Sequence, residues 1–135
     1  PAAICRKVIQ AKETGADEIE IWGDGKQTRS FMYIDDCVEG ILKITNSDIL
    51  EPINLGSDEL VTIDGLTELV EEIAGVDLKH NYNLSAPKGV NGRNSDNTKI
   101  QQYLGWAPGI KLREGMEKTY HWIREQYMAR ETATA

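Results

Sequence analysis

The residues of this chain whose types and spacing could do chemistry are one polar run and two scattered cations. Gly23-Asp24-Gly25 is followed by Gln27-Thr28-Arg29, a flexible turn ahead of an amide, a hydroxyl and a guanidinium. The planar fork of arginine matches a pair of phosphate oxygens, so the run suits a phosphate-bearing ligand. Arg93 lies in a second glycine-bearing stretch, Gly89 to Asn97, and Lys7 lies in an early helical stretch. Each has a plainer reading. A Gly-x-Gly turn before a polar strand is an ordinary hairpin-like connection, a loop arginine is usually solvated, and so is a lysine on a helix surface. Taken one at a time, the plainer readings carry more weight.

Other chemistry-bearing types are better explained by structure. Asp35 and Asp36 could suggest acid–base work, yet a helix start accounts for them, because negative charge there favours the helix dipole. Glu71 and Glu72 read as a solvated helix face. Trp22, Trp106 and Trp122 read as core residues at element edges, not as stacking platforms. Cys5 and Cys37 form no Cys-x-x-Cys pair, and only His80 and His121 could join them, which argues against zinc.

Two absences are informative. A dinucleotide-binding turn requires G-x-G-x-x-G after a first strand, and the third glycine would fall where Thr28 stands. There is no Tyr-x-x-x-Lys pair either. The residues four places after Tyr33, Tyr82, Tyr103, Tyr120 and Tyr127 are Cys37, Ala86, Ala107, Arg124 and Glu131. No residue pair here supplies redox chemistry.

The elements that must position these residues follow from periodicity and punctuation. Pro1 suits a first helical turn, and Ile4, Val8 and Ala11 repeat at helical spacing. Glu18 to Trp22 alternates as a half-buried strand, and Thr28 to Ile34 is a short extended segment. Asp35 or Asp36 caps a helix to about Thr45, with Cys37, Val38, Ile41 and Leu42 on its inner face. Pro52 to Gly56 reads as a short buried strand. A helix from about Ile63 to Ala74 ends at Gly75, and Lys79 to Leu84 alternates as a third strand. Ser85 to Asn94 is loop; Asn94 or Ser95 caps a short helix reaching Leu104. Leu112 to about Met128 is the last helix, and 129–135 is a frayed tail after a lobe spanning 1–128. Short strands alternating with about five helices give an α/β, α+β-like class with one thin sheet.

Composition bounds the function. A chain of 135 residues with 40% hydrophobic and 27% charged residues is an ordinary globular domain, not disordered or fibrous. No apolar run is long enough to span a bilayer, and the first residues do not form an export signal. With 15 basic against 22 acidic side chains, the net charge of −7 has the wrong sign for general nucleic-acid binding. An anion must be held by a few placed cations. Two unpatterned cysteines fit a reducing cytoplasm. The opening, helical and without methionine, reads as cut from something longer.

Taken together, the segments resemble the C-terminal part of the NAD-dependent sugar epimerase/dehydratase family, the extended short-chain dehydrogenases. The residues that carry this are Pro1 to Lys7, Trp22 to Phe31, Tyr33 to Gly40, Ile53 to Ser57 and Leu104 to Pro108. Gly92-Arg93-Asn94-Ser95-Asp96-Asn97 and the opening Pro-Ala-Ala-x-Cys-Arg-Lys are most similar to the members acting on GDP-mannose.

The resemblance implies that nucleotide-sugar contacts fall on Lys7, Gln27, Thr28, Arg29 and Arg93. Arg29 and Arg93 would clamp a pyrophosphate from two loops, and Lys7 would add a third positive charge. It implies no catalytic, cofactor or metal residue in this chain, because the family's Rossmann half carries the glycine motif, the Tyr-x-x-x-Lys pair and the acid/base residues. NAD belongs to the complete family enzyme, which oxidises the sugar at C4 so that protons at its neighbours become removable. This chain would supply the grip on the nucleotide sugar and no turnover alone. A lobe for a 4-epimerase or 4,6-dehydratase shares the same arginine logic, and a non-catalytic interaction protein is the reading of another class. Expected partners are the nucleotide sugar and a Rossmann half or a second copy, with association through an apolar face.

Overall fold

In the computed structural model, residues 1–87 and 89–134 are described, with side chains up to 130. The helices are α1 (Ala2–Thr14), α2 (Ile34–Thr45), α3 (Ile63–Ala74), α4 (Thr98–Leu104) and α5 (Leu112–Thr134). The strands are β1 (Glu18–Trp22), β2 (Thr28–Ser30), β3 (Leu60–Thr62) and β4 (Lys79–Asn83). Five helices with short strands make the mixed α/β architecture expected.

The core forms where the helical repeats meet. Cys5, Val8, Ile9 and Ala11 of α1 pack with Leu66, Val70 and Ala74 of α3 and with Met116 and Tyr120 of α5. Ile19 of β1 joins them, because alternation along Glu18–Trp22 turns Ile19 and Ile21 inward. Burying such side chains is worth about 1.5–3 kcal/mol each. That packing sets the angle of β1 and α1, which carry two walls of the hollow described below.

Strand pairing differs from the single thin sheet expected. β1 pairs in parallel with β4, Glu18 opposite Lys79 and Trp22 opposite Asn83. β2 pairs antiparallel with β3 in a separate sheet, Arg29 opposite Val61. The Gly23–Gly25 turn is therefore not a hairpin: β1 and β2 never pair. Its backbone goes to the start of α3 instead, where Asp64 N–H donates to Gly25 O and Ile63 N–H to Gln27 O.

Several expected elements are corrected. Pro52 to Gly56 is not a strand. The adjoining carbonyls pair with a loop, Gly56 O accepting from Asn97 Nδ2 and Ser57 O from Ser95 N–H. The strand lies later, at Leu60–Thr62. Neither aspartate caps α2: its cap position is Tyr33, and Asp36 instead accepts from the backbone N–H groups of Gly109 and Ile110 at 2.9 and 2.8 Å. α4 begins at Thr98, whose N–H donates to Asp96 Oδ1, rather than after Asn94 or Ser95. α5 continues past Met128 to Thr134; Ala135 of the expected tail lies outside the described residues.

Of the α2 side expected to face inward, Cys37 is half-buried and the other three residues face out. Val38 is 49% exposed, Ile41 51% and Leu42 55%, while the buried residues of this helix are Asp36 and Gly40. Gly40 packs against Leu55 and Trp106, whose side chains a Cβ at that position would strike. Among the described residues, no helix is long and apolar enough to cross a membrane.

Candidate functional site

The walls of one hollow come from α1, β1, β2 and α3. It encloses about 450 Å³, inside the range of small-molecule sites, and is lined by Lys7, Glu20, Trp22, Gln27, Arg29 and Thr67 among others. Lys7 stands on the outer side of α1, and its Nζ donates to the carbonyl of Glu20 at 2.6 Å. The same ammonium lies 3.7 Å from Glu20 Oε2 and 5.9 Å from the centre of the Trp22 ring.

Gln27 follows the glycine turn. Its Nε2 donates to the carbonyl of Trp22 at 3.2 Å, which fixes the amide against β1. Its Oε1 is buried and has no hydrogen-bond partner among the described residues. Nearly every buried polar atom in a native protein is paired, so this oxygen is suited to a donor from a ligand. Arg29 lies next on the same wall, where its Nη1 donates to the carbonyl of Thr28 at 2.7 Å. Glu20 is held below the usual carboxylate range by hydrogen bonds from Asn83 and Trp22, with Lys7 adding to the effect. The hollow thus carries a carboxylate as well as three cations, Arg6, Lys7 and Arg29.

Thr28 is held from the other side. Its N–H donates to Asn91 O at 2.9 Å, and Gly92 lies so close to its hydroxyl that a Cβ there would strike it. Gly89 lies against the Arg29 guanidinium. The glycine-rich loop before α4 therefore runs across β2, and its glycines permit the close approach.

Arg93 does not share the hollow of Lys7 and Arg29. It lines a neighbouring space of about 370 Å³ with Ser30, Asn54, Ser57 and Ser95. Alternation along β2 turns Arg29 and Ser30 to opposite faces, so the strand separates the two spaces. Of the three cations expected to converge, Lys7 and Arg29 line this hollow together with Arg6, and Arg93 lines the neighbouring one.

The glycine turn does not fit a dinucleotide cofactor. It leads into a strand and not a helix, and a Cβ at Gly25 would fall on the Asp64 carboxylate. Among the described residues no group of His, Cys, Asp or Glu is arranged to hold a metal ion.

Residues 1–119 match the family model described as GDP-mannose 4,6-dehydratase. The chain belongs to that family. Within it, the chain is 50% identical over 126 residues to GDP-mannose 3,5-epimerase of Arabidopsis thaliana, covering 93% of this chain and 32% of the relative. It is 36% identical over 121 residues to GDP-L-fucose synthase 1 of the same plant, covering 89% of this chain and 37% of the relative. The chain spans about a third of the length of the curated relatives it matches. Among solved structures it resembles the UDP-glucose 4-epimerase of Thermotoga maritima with UDP-glucose, at a TM-score of 0.81 and 29% identity over 93% of this chain and 39% of that one. It also resembles the UDP-glucuronic acid 4-epimerase of Bacillus cereus in complex with UDP-glucuronic acid and NAD. There the TM-score is 0.79 and the identity 30%, over 92% of this chain and 40% of that one.

The structure of this family member also shows what sequence reasoning missed. Trp22, read as core, is 54% exposed on the wall of the hollow, and Trp122 is exposed as well. A signal was present: Trp22 shares the strand parity of Glu18 and Glu20, the polar face. Glu71, read as solvated, is buried, and its Oε1 lies 2.9 Å from His80 Nε2. Glu72 does lie at the surface, paired with Arg113.

Proposed function

We propose that this chain is the nucleotide-sugar-binding lobe of an NAD-dependent epimerase, with GDP-mannose or a close analogue as ligand. The observation that carries the reading is the meeting of Lys7, Gln27 and Arg29 in one hollow, with the Gln27 Oε1 acceptor unpaired. Cations lining one hollow suit a diphosphate, and the orphaned amide oxygen suits a ribose or sugar hydroxyl. Arg93 adds a guanidinium from the far side of β2, and Thr28 anchors the loop that brings it there. The choice of GDP-mannose over a uridine sugar is supported by the 50% identity to GDP-mannose 3,5-epimerase, against 29–30% to the uridine-sugar enzymes.

The lobe comprises residues 1–128, binds no NAD itself and turns over no substrate alone. Its partner is a Rossmann half or a second copy, reached through the apolar side of α2. Titration of the chain with GDP-mannose by calorimetry tests the binding, with Arg29→Ala and Arg93→Ala as controls. Saturable binding lost in Arg29→Ala supports the reading. No saturable binding at millimolar ligand rejects it in favour of an interaction module. Epimerised product from this polypeptide with GDP-mannose and NAD would overturn the claim that it is incomplete.

A further inference from the structure

A carboxylate is out of place in a hollow built for an anion, yet Glu20 stands there. Among the described residues that line the hollow, its charge opposes those of Arg6, Lys7 and Arg29. Three positive side chains against one negative leave a net charge of +2. The carboxylate is held by neutral donors as well as by Lys7. Its Oε1 accepts from Asn83 Nδ2 at 2.9 Å and its Oε2 from Trp22 Nε1 at 2.9 Å, while Lys7 Nζ stands 3.7 Å from Oε2. A phosphate that claims Lys7 removes one of these three partners and leaves both neutral donors in place. The negative charge therefore stays on the wall of the hollow when an anion is bound.

We infer that Glu20 is a specificity-determining residue, a fixed negative charge that lowers the affinity of the hollow for a free nucleoside diphosphate relative to a nucleotide sugar. The inference rests on the nucleotide-sugar reading above and deepens it. Both phosphates of a nucleotide sugar are esterified and carry one charge each, whereas a terminal phosphate carries about −1.5 to −2 at pH 7. Cations alone draw the more highly charged anion harder, and a carboxylate among them repels that extra charge. Hydrogen bonds from Asn83 and Trp22, with Lys7 adding to them, hold Glu20 below the usual carboxylate range, so the repelling charge is present at neutral pH. Nucleoside diphosphates are released wherever the sugar is transferred to an acceptor, and they compete for the same cradle.

The test compares GDP with its β-methyl ester, which has the charge of a nucleotide sugar and no sugar. Both are titrated by calorimetry at about pH 8, where the terminal phosphate of GDP has lost its last proton. Glu20 is half exposed, so Glu20→Gln leaves the core untouched and keeps an acceptor oxygen. In Glu20→Gln the affinity for GDP relative to the ester should rise at least about threefold over wild type, the scale of one charge pair several ångströms apart near water. Glu20→Ala should shift the ratio in the same direction, and it decides should Glu20→Gln not fold. An unchanged ratio, or one that moves toward the ester, overturns the inference and leaves the nucleotide-sugar reading standing. Equal weakening of both ligands overturns it too, because Glu20 would then act only by holding Lys7 and Trp22. Failure of the wild-type chain to bind either ligand brings down both readings.

Discussion

His80 Nε2 lies 2.9 Å from Oε1 of Glu71, joining the β1–β4 sheet to α3 where both side chains are nearly buried. A buried polar pair of this kind is costly to break from one side, because the remaining partner keeps its desolvation penalty. Glu71→Ala should lower the unfolding free energy by about 1–3 kcal/mol. Glu71→Gln, which keeps an acceptor oxygen, should lose less. Urea denaturation of both variants checks this, and equal stability of Glu71→Ala and wild type would sink it.

Asp36 provides a second long-range tie. It holds two backbone N–H groups, of Gly109 and Ile110, at the bend that leads into α5. Asp36→Ala leaves both donors unpaired and should cost about 1–3 kcal/mol, with Asp36→Asn in between. If the residue served only the dipole of α2, Asn would cost as much as Ala; thermal unfolding separates the two.

For ligand affinity, Arg29 and Arg93 should not be equivalent. Arg29 shares its hollow with Lys7, whereas Arg93 acts from the adjoining space across β2. Arg29→Ala should weaken GDP-mannose binding about tenfold or more, the scale of a lost charge-assisted hydrogen bond, and Arg93→Ala by less. The opposite order in calorimetric titrations would refute the arrangement.

Burial pushes the Cys5 thiol up to about 11, partly offset by the nearby amino terminus. In the unfolded chain the thiol ionises near its ordinary value of 9.0. Between those two pH values the unfolded state loses a proton that the folded state keeps. Stability contributed by the neutral thiol is therefore full below pH 9 and declines as pH rises toward 11, by about 1.4 kcal/mol per unit for one proton. Chemical denaturation across this range should show the decline in wild type and a smaller one in Cys5→Ala.

The apolar side of α2 yields a prediction about association. Val38, Ile41 and Leu42 are each about half exposed on one helix. Contiguous exposed apolar surface of this kind draws a partner. Sedimentation should show self-association that rises with concentration and falls in Ile41→Lys. A monomer at every concentration would count against it.

Much of the local structure was legible in the residues. Gly75 ends α3 in the left-handed region, as its position after an apolar repeat implied, and Gly15 and Gly105 end α1 and α4 in the same way. The alternation of Glu18 to Trp22 gave the inward faces of Ile19 and Ile21, and the same alternation, read through to its end, exposes Trp22. The polar run and its cations were identifiable by type. The expectations that fail concern partners: an inner face for Val38, Ile41 and Leu42 of α2, and a strand at Pro52 to Gly56, each require a neighbouring element that local sequence does not specify.

By itself, the sequence determined the periods, the caps and the kinds of side chain available to an anion, since these depend on neighbours within a few residues. Only the tertiary structure decided that β1 joins β4 across some 60 residues, that Asp36 ties the bend before α5, and that β2 divides Arg93 from Arg29. Those outcomes depend on packing between segments far apart in the chain. Local propensity carries no information about which of them will meet.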